Sequence, residues 1–146
     1  MALEKTKLTK EKIIEIVTND YGLLGTIEIN YINRGTANIF KITVDDKNYI
    51  LKEFNSERTL KYIEKEINII NYLSTKGISV PKYLQLKNGK YHTNIEDRII
   101  IMQEFVEGEI LEDNSAEYDQ LIKSAELLGK LIKALEEYHE LDSEDI

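Results

Sequence analysis

The sequence predicts an α+β fold: a five-stranded antiparallel sheet with one packed helix, plus a leading helix and a long C-terminal helix. Three observations predict it. Residues 26–54 hold three strand-like runs separated by short polar connections, the pattern of a meander. Residues 58–73 repeat apolar side chains on one arc at about 100° per residue, the mark of an amphipathic helix. Two further strand-like stretches follow, with Asn88-Gly89 between them as the strongest hairpin signal in the chain.

The elements follow in order. Residues 9–20 read as a helix capped by Thr9, with Ile13, Ile14, Ile16 and Val17 as its apolar stripe, broken by Gly22 and Gly25. Strands are expected at 26–33, 37–45 and 48–54. The first connection is Arg34-Gly35-Thr36-Ala37 and the second is the polar turn Asp45-Asp46-Lys47. The helix over 58–75 ends at Gly77, placed as its C′ residue. Pro81 opens a fourth strand, 82–87, and a fifth covers 98–103 with the run Ile99-Ile100-Ile101-Met102. A last helix covers about 116–140, followed by an acidic tail that predicts fraying near 140, since negative charge at a helix C-terminus opposes the macrodipole.

Bulk properties exclude several functions. The chain has 146 residues, enough for one ordinary domain with a core. Its formal charge of −8 argues against a nucleic-acid surface, which needs a basic face, but not against a nucleotide site. No cysteine is present, so disulfides, thiolate chemistry and zinc–cysteine sites are out. The first residues lack an apolar h-region and no stretch is long enough to span a bilayer, so the expectation is a cytoplasmic protein without membrane contact. His92 and His139 have no carboxylate at ligand spacing, and Asp45-Asp46 reads as a solvated turn, so no metal site is expected.

One pair of residues carries the functional reading. Lys52 shares a strand face with Ile50 and Phe54, because strand side chains alternate. On the next helix Leu60, Tyr62, Ile63, Ile67, Ile69, Ile70 and Leu73 fill one arc, and Glu66 falls in its middle. A carboxylate buried there without a partner costs several kcal/mol. Lys52 is the expected partner, at about 2.8 Å. A strand lysine held by a glutamate of the following helix is how kinases position ATP phosphates. The alternative is an ion pair with a purely structural role.

With that order of elements, the chain resembles the N-terminal lobe of the aminoglycoside phosphotransferase and choline kinase-like family, within the protein-kinase-like fold. The matching stretches are Asn33-Arg34-Gly35-Thr36-Ala37-Asn38-Ile39-Phe40, Tyr49-Ile50-Leu51-Lys52, Glu66, Gly77-Ile78-Ser79-Val80-Pro81, Asn88-Gly89 and Met102-Gln103-Glu104-Phe105-Val106-Glu107-Gly108. Leu127-Leu128-Gly129-Lys130-Leu131 and Tyr138-His139 complete the match, which spans about residues 20–140. The resemblance implies that Lys52 contacts the ATP phosphates and Glu66 pairs with it. It implies that Glu104, Phe105 and Val106 form the hinge whose backbone bonds the adenine edge. Ile50 and Ile39 would roof the ring, and Gly35, Thr36 and Asn38 would belong to the nucleotide-positioning loop. A Gly-x-Gly-x-x-Gly loop is absent, as it generally is in the family.

No His-x-Asp with a following Asn occurs in the sequence. The family's catalytic loop and magnesium-binding aspartate lie in a second lobe, so no catalytic residue is expected in this chain. Residues 1–108 are read as the kinase-like lobe with hinge, and 109–146 as linker and first helix of an absent lobe. An excised domain, a proteolytic fragment and a truncated gene product all fit that reading. ATP is the implied cofactor, with Mg2+ held by the absent lobe, and a small-molecule acceptor is the implied partner. The implied activity is transfer of the ATP γ-phosphate to a hydroxyl of an aminoglycoside, amino alcohol or similar metabolite. Two other readings stay open: a non-catalytic kinase-like module that binds a protein partner, and a stand-alone α+β binding domain. Leu121, Ala125, Leu128, Ile132, Leu135 and His139 step by four and three along the last helix. The spacing predicts a stripe that either drives self-association or folds back on the sheet.

Overall fold

A computed structural model describes residues 2–139. Its elements are α1 (Lys10–Glu15), a π-helical turn (Ile16–Asp20), β1 (Ile27–Ile32), β2 (Asn38–Val44), β3 (Lys47–Glu53), α2 (Leu60–Thr75), β4 (His92–Ile95), β5 (Arg98–Glu104) and α3 (Tyr118–Glu136). The strands form one antiparallel sheet in the order β1-β2-β3-β5-β4. The chain divides into two units, Met1–Asn68 with Pro81–Val106, and Ile69–Val80 with Glu107–Ile146.

The first unit holds the sheet. Strand alternation sorts its side chains onto two faces. Phe40, Ile42 and Val44 of β2, Tyr49 and Leu51 of β3, and Ile100 and Met102 of β5 pack against Ile13, Ile16, Val17 and Tyr21 of the leading helical segment. Thr9 caps that segment, its hydroxyl accepting the Lys12 N–H at 3.2 Å. The register aligns Ile39 with Lys52, Lys52 with Ile101, and Ile50 with both Lys41 and Gln103, so these six side chains share the opposite face.

Five strands are present, but the fourth is not where the sequence suggests. Residues 82–87 make only a single bridge, Tyr83 to Gln103, and β4 forms instead at His92–Ile95. The backbone groups of 82–87 go in different directions. Leu84 N–H donates to Met102 O at 2.9 Å, Leu86 N–H to Lys90 O at 2.8 Å, and Lys87 N–H to Asp20 O at 2.9 Å. Such divergent bonding cannot continue a ladder. The β4–β5 turn is Glu96-Asp97, where Glu96 adopts φ 53°. With no glycine or asparagine at that position, the turn was invisible to composition.

A polar network binds the N-terminal arm to the end of the sheet. Glu53 is fully buried at 0% exposure on the α1 face. Its carboxylate accepts from Asn38 Nδ2 at 2.8 Å and from the Lys7 N–H at 2.9 Å, and lies 3.4 Å from Arg98 Nη1. Arg98 also donates to Lys5 O at 2.7 Å and pairs with Glu4 at 3.0 Å. Asn55 receives the Glu4 N–H at 3.1 Å and donates to Ala2 O at 2.9 Å. The arm thus acts as an irregular cover whose backbone groups are satisfied by side chains.

At the surface the arm is tied by ionisable groups. Hydrogen bonds from Ser56 hold the Glu4 carboxyl below its ordinary pKa, and the Lys7 hydrogen bond does the same for Asp97. Bonds to Glu96 and Asp97 raise Lys7. A depressed carboxyl stabilises the fold above its ordinary pKa and loses that effect as pH falls through the lowered value. A raised lysine stabilises below its ordinary pKa and fails only as pH rises through the raised value. The arm is therefore expected to loosen first on acidification. Amide-exchange protection at Glu4 and Lys7 should fall there before that of Leu51 does; simultaneous loss would contradict this.

The second unit begins in the last turns of α2. Gly77, at φ 75°, closes the helix: Ile78 N–H donates to Leu73 O at 3.1 Å and Gly77 N–H to Ser74 O at 3.2 Å. This is the Schellman pattern, and Leu73 and Ile78 make its hydrophobic contact. Ala134, with Leu131 and Leu135, packs on the same pair, and Tyr72 donates to Ala134 O at 2.7 Å. α3 opens with a capping box in which Gln120 accepts the Glu117 N–H at 2.8 Å. Leu121, Leu128 and Ile132 are all at least half exposed. The fraying expected near 140 and the acidic tail lie outside the described residues.

Candidate functional site

The sheet face opposite α1 carries the site. Lys52 reaches this face because β3 alternates, with Tyr49, Leu51 and Glu53 turned to the core side. Ile39 lies directly beside it on β2. The first turns of α2 bring Tyr62 and Glu66 over the same face. Together with Gly35, Thr36, Ala37, Phe54 and Arg58, these residues line a cavity of about 280 Å3. Lys52 and Glu66 therefore belong to one pocket on one side of the sheet.

The pair is not bridged. Among the described residues no ion pair joins Lys52 and Glu66. Glu66 is half-buried and its Oε1 accepts the Tyr83 hydroxyl at 2.5 Å. The reason is legible in burial: Tyr83 is only 8% exposed, and a buried phenol needs an acceptor. Burial raises the Tyr83 pKa far above its ordinary value and the Glu66 carboxylate raises it further, so the phenol stays a donor. Lys52 keeps its ammonium directed to a pocket without a carboxylate partner.

The remaining expected residues separate into groups. Gly35 and Thr36 line the pocket, and Gly35 adopts φ 87°, a conformation that any side chain would strain. Asn38, expected in the same loop, is instead the first residue of β2, and its side chain points to the other face. There it accepts from Tyr31 Oη at 3.1 Å and donates to Glu53 and Glu4 O, and it is not among the residues lining the pocket. Ile50 is half-buried on the Lys52 face, next to Lys41 and Gln103. At the end of β5, Glu104 N–H donates to Lys82 O at 2.9 Å, while Val106 is 67% exposed where the chain leaves the sheet. The Phe105 ring lies under Lys41 Nζ at 4.6 Å, so this exit flanks the same face.

Two lining residues, Tyr62 and Arg58, escaped the sequence reading, while Phe54 shares the Lys52 face as alternation predicts. Tyr62 was assigned to the apolar arc of α2, yet it is 48% exposed and carries the Arg58 guanidinium over its ring at 4.6 Å. Phe54 is buried beside them. A usable signal existed, since Arg58, Tyr62 and Glu66 are spaced four apart and so fall on one stripe. Tyr83 carried no such signal, because its contact with Glu66 is tertiary.

Comparison with known proteins agrees with this fold. No match is found among curated protein sequences. Solved structures match at low identity. An amicoumacin kinase, solved with AMP-PNP and Ca2+, superposes with a TM-score of 0.75 at 20% identity, over 92% of this chain and 42% of its own. A spectinomycin phosphotransferase, solved with ADP and spectinomycin, gives 0.68 at 17% identity over 86% and 38%. A microcompartment-associated aminopropanol kinase gives 0.60 at 18% over 88% and 40%. The chain spans about two fifths of the length of these structures. It shares the fold of small-molecule kinases over that part. A model of the phosphotransferase enzyme family matches residues 28–146, and the chain belongs to that family.

Proposed function

We propose that the chain is the ATP-binding small lobe of a small-molecule kinase. The intact enzyme transfers the ATP γ-phosphate to a hydroxyl of an aminoglycoside, an amino alcohol or a similar metabolite. The observation that carries this reading is Lys52, an ammonium without a carboxylate partner in a pocket walled by the Gly35–Ala37 loop. Lys52 binds phosphate oxygens, Ile39 and Ile50 pack on the adenine, and the backbone of 104–106 offers groups for its edge. Among the described residues no cluster of histidines and carboxylates suits a metal ion. As the family resemblance implies, Mg2+ would arrive with the triphosphate and be held by residues of a second lobe. No helix among the described residues is long and apolar enough to cross a membrane. Use of ATP as donor is the basis for a cytoplasmic reading.

Titration of the chain with ATP, followed by amide chemical shifts, tests the reading. Shifts are expected at Gly35–Ala37, Lys52 and Phe105–Val106. An unaffected Gly35–Ala37 loop at millimolar ATP would overturn it. One observation favours a second reading, a non-catalytic module: Glu66 is engaged by Tyr83 rather than Lys52. The sequence encoded after Ile146 separates the two. A His-Gly-Asp followed by Asn and Asp supports the kinase, and a stop codon supports the module.

The exposed stripe of α3 also bears on the state of the isolated chain. Leu121, Leu128 and Ile132 are expected to be covered by a second copy, giving concentration-dependent self-association. Sedimentation as a strict monomer at high concentration would contradict that.

A further inference from the structure

The site contains a second cation that the family resemblance did not assign. Arg58 lies in the connection between β3 and α2 and lines the same cavity as Lys52, Gly35 and Thr36. It is half-buried, its guanidinium stacks over Tyr62 at 4.6 Å, and no carboxylate pairs with it among the described residues. This is unexpected on composition. The chain has 27 acidic side chains against 19 lysines and arginines. Two cations in one pocket, both without an acidic partner, form a local positive site in an acidic protein. The pocket's single carboxylate, Glu66, is occupied by Tyr83.

We infer that Arg58 is a second phosphate-binding residue, held by Tyr62 so that its donors face the polyphosphate that Lys52 binds. The inference rests on the nucleotide reading above and adds a residue to it. Stacking orients the guanidinium plane while leaving its N–H groups available at the edge. That planar fork bonds two phosphate oxygens at once, which a lysine ammonium cannot reproduce. The Arg58, Tyr62, Glu66 stripe thus divides its work: Arg58 binds the anion, Tyr62 orients Arg58, and Glu66 stays with Tyr83 or turns to Lys52.

Binding of ATP and of adenosine to the wild-type chain, Arg58→Gln and Arg58→Lys tests this by titration calorimetry or chemical shift. Arg58→Gln should weaken ATP about tenfold or more, the loss of a charge-assisted bond, and leave adenosine unchanged. Arg58→Lys keeps the charge without the fork and should fall between. If Arg58→Gln keeps the full preference for ATP over adenosine, or weakens both equally, the inference is wrong while the nucleotide reading stands. If the wild-type chain itself binds ATP no better than adenosine, the phosphate reading fails and takes this inference with it. Should Arg58→Gln be unstable, Arg58→Lys decides: ATP affinity equal to wild type would overturn the role of the fork.

Discussion

Replacing Lys52 by alanine in the proposed intact kinase should lower kcat by about 100- to 1000-fold, the range seen when one preorganised donor to developing charge is removed. The fold should survive. Lys52 holds no carboxylate in the structure, and the adjacent core residues Leu51 and Glu53 point the other way. Melting temperature and circular dichroism should therefore stay close to wild type while turnover collapses. That separation is the informative result. A purely structural lysine would show the reverse, with lost stability and retained turnover. Wild-type turnover in Lys52→Ala would remove the central residue of the proposed function.

The largest effect on stability is expected at Glu53→Ala. The carboxylate is fully buried and serves Asn38, the Lys7 N–H and Arg98 together. Its removal takes the buried carboxylate partner from Arg98, leaving it Glu4 and the Lys5 carbonyl, and removes the acceptor of two amide donors. Breaking a buried pair by deleting one partner costs about 3–5 kcal/mol. For a domain with about 5–15 kcal/mol in total, that is a large fraction. Urea denaturation should show the midpoint falling at unchanged slope. The double variant Glu53→Leu with Arg98→Met should be less destabilised than Glu53→Ala, because no buried charge then loses its partner and the part-exposed Glu4 keeps its bonds from Ser56. Equal loss in both would mean that packing, not charge, sets the cost.

Much of the fold was legible because its periodicities are strong. The three strands of the meander, the amphipathic α2 and the Thr9 cap all follow from local rules, and the structure places them within a few residues of expectation. The displaced fourth strand shows the limit. Segment 82–87 has strand-like composition, but its backbone groups bond in three directions, to β5, to the 88–90 turn and to Asp20, and only tertiary partners decide that. The placement of candidate residues was legible where face alternation governs it, as for Lys52 and Ile50. It was opaque where a residue's partner is distant in sequence. Glu66 was expected to need a cation because its arc is apolar, yet Tyr83, 17 residues later, supplies a neutral donor. Glu53 shows the same limit on the strand. It reads as an unremarkable polar residue beside Lys52, and only Arg98, Asn38 and the arm explain its burial.

The N-terminal arm has a consequence for how the protein is made. Its anchors sit far downstream: the Lys5 carbonyl waits for Arg98, 93 residues later, and the Glu4 amide for Asn55, 51 residues later. During synthesis residues 4–7 can thus be seated only after β5 has emerged, because Arg98 at its start completes their berth. Until then Glu53 faces a gap in the nascent sheet. A bulky partner fused just ahead of Ala2 would have to let this segment find its seat late, whereas one attached elsewhere on the surface would leave the order of assembly untouched.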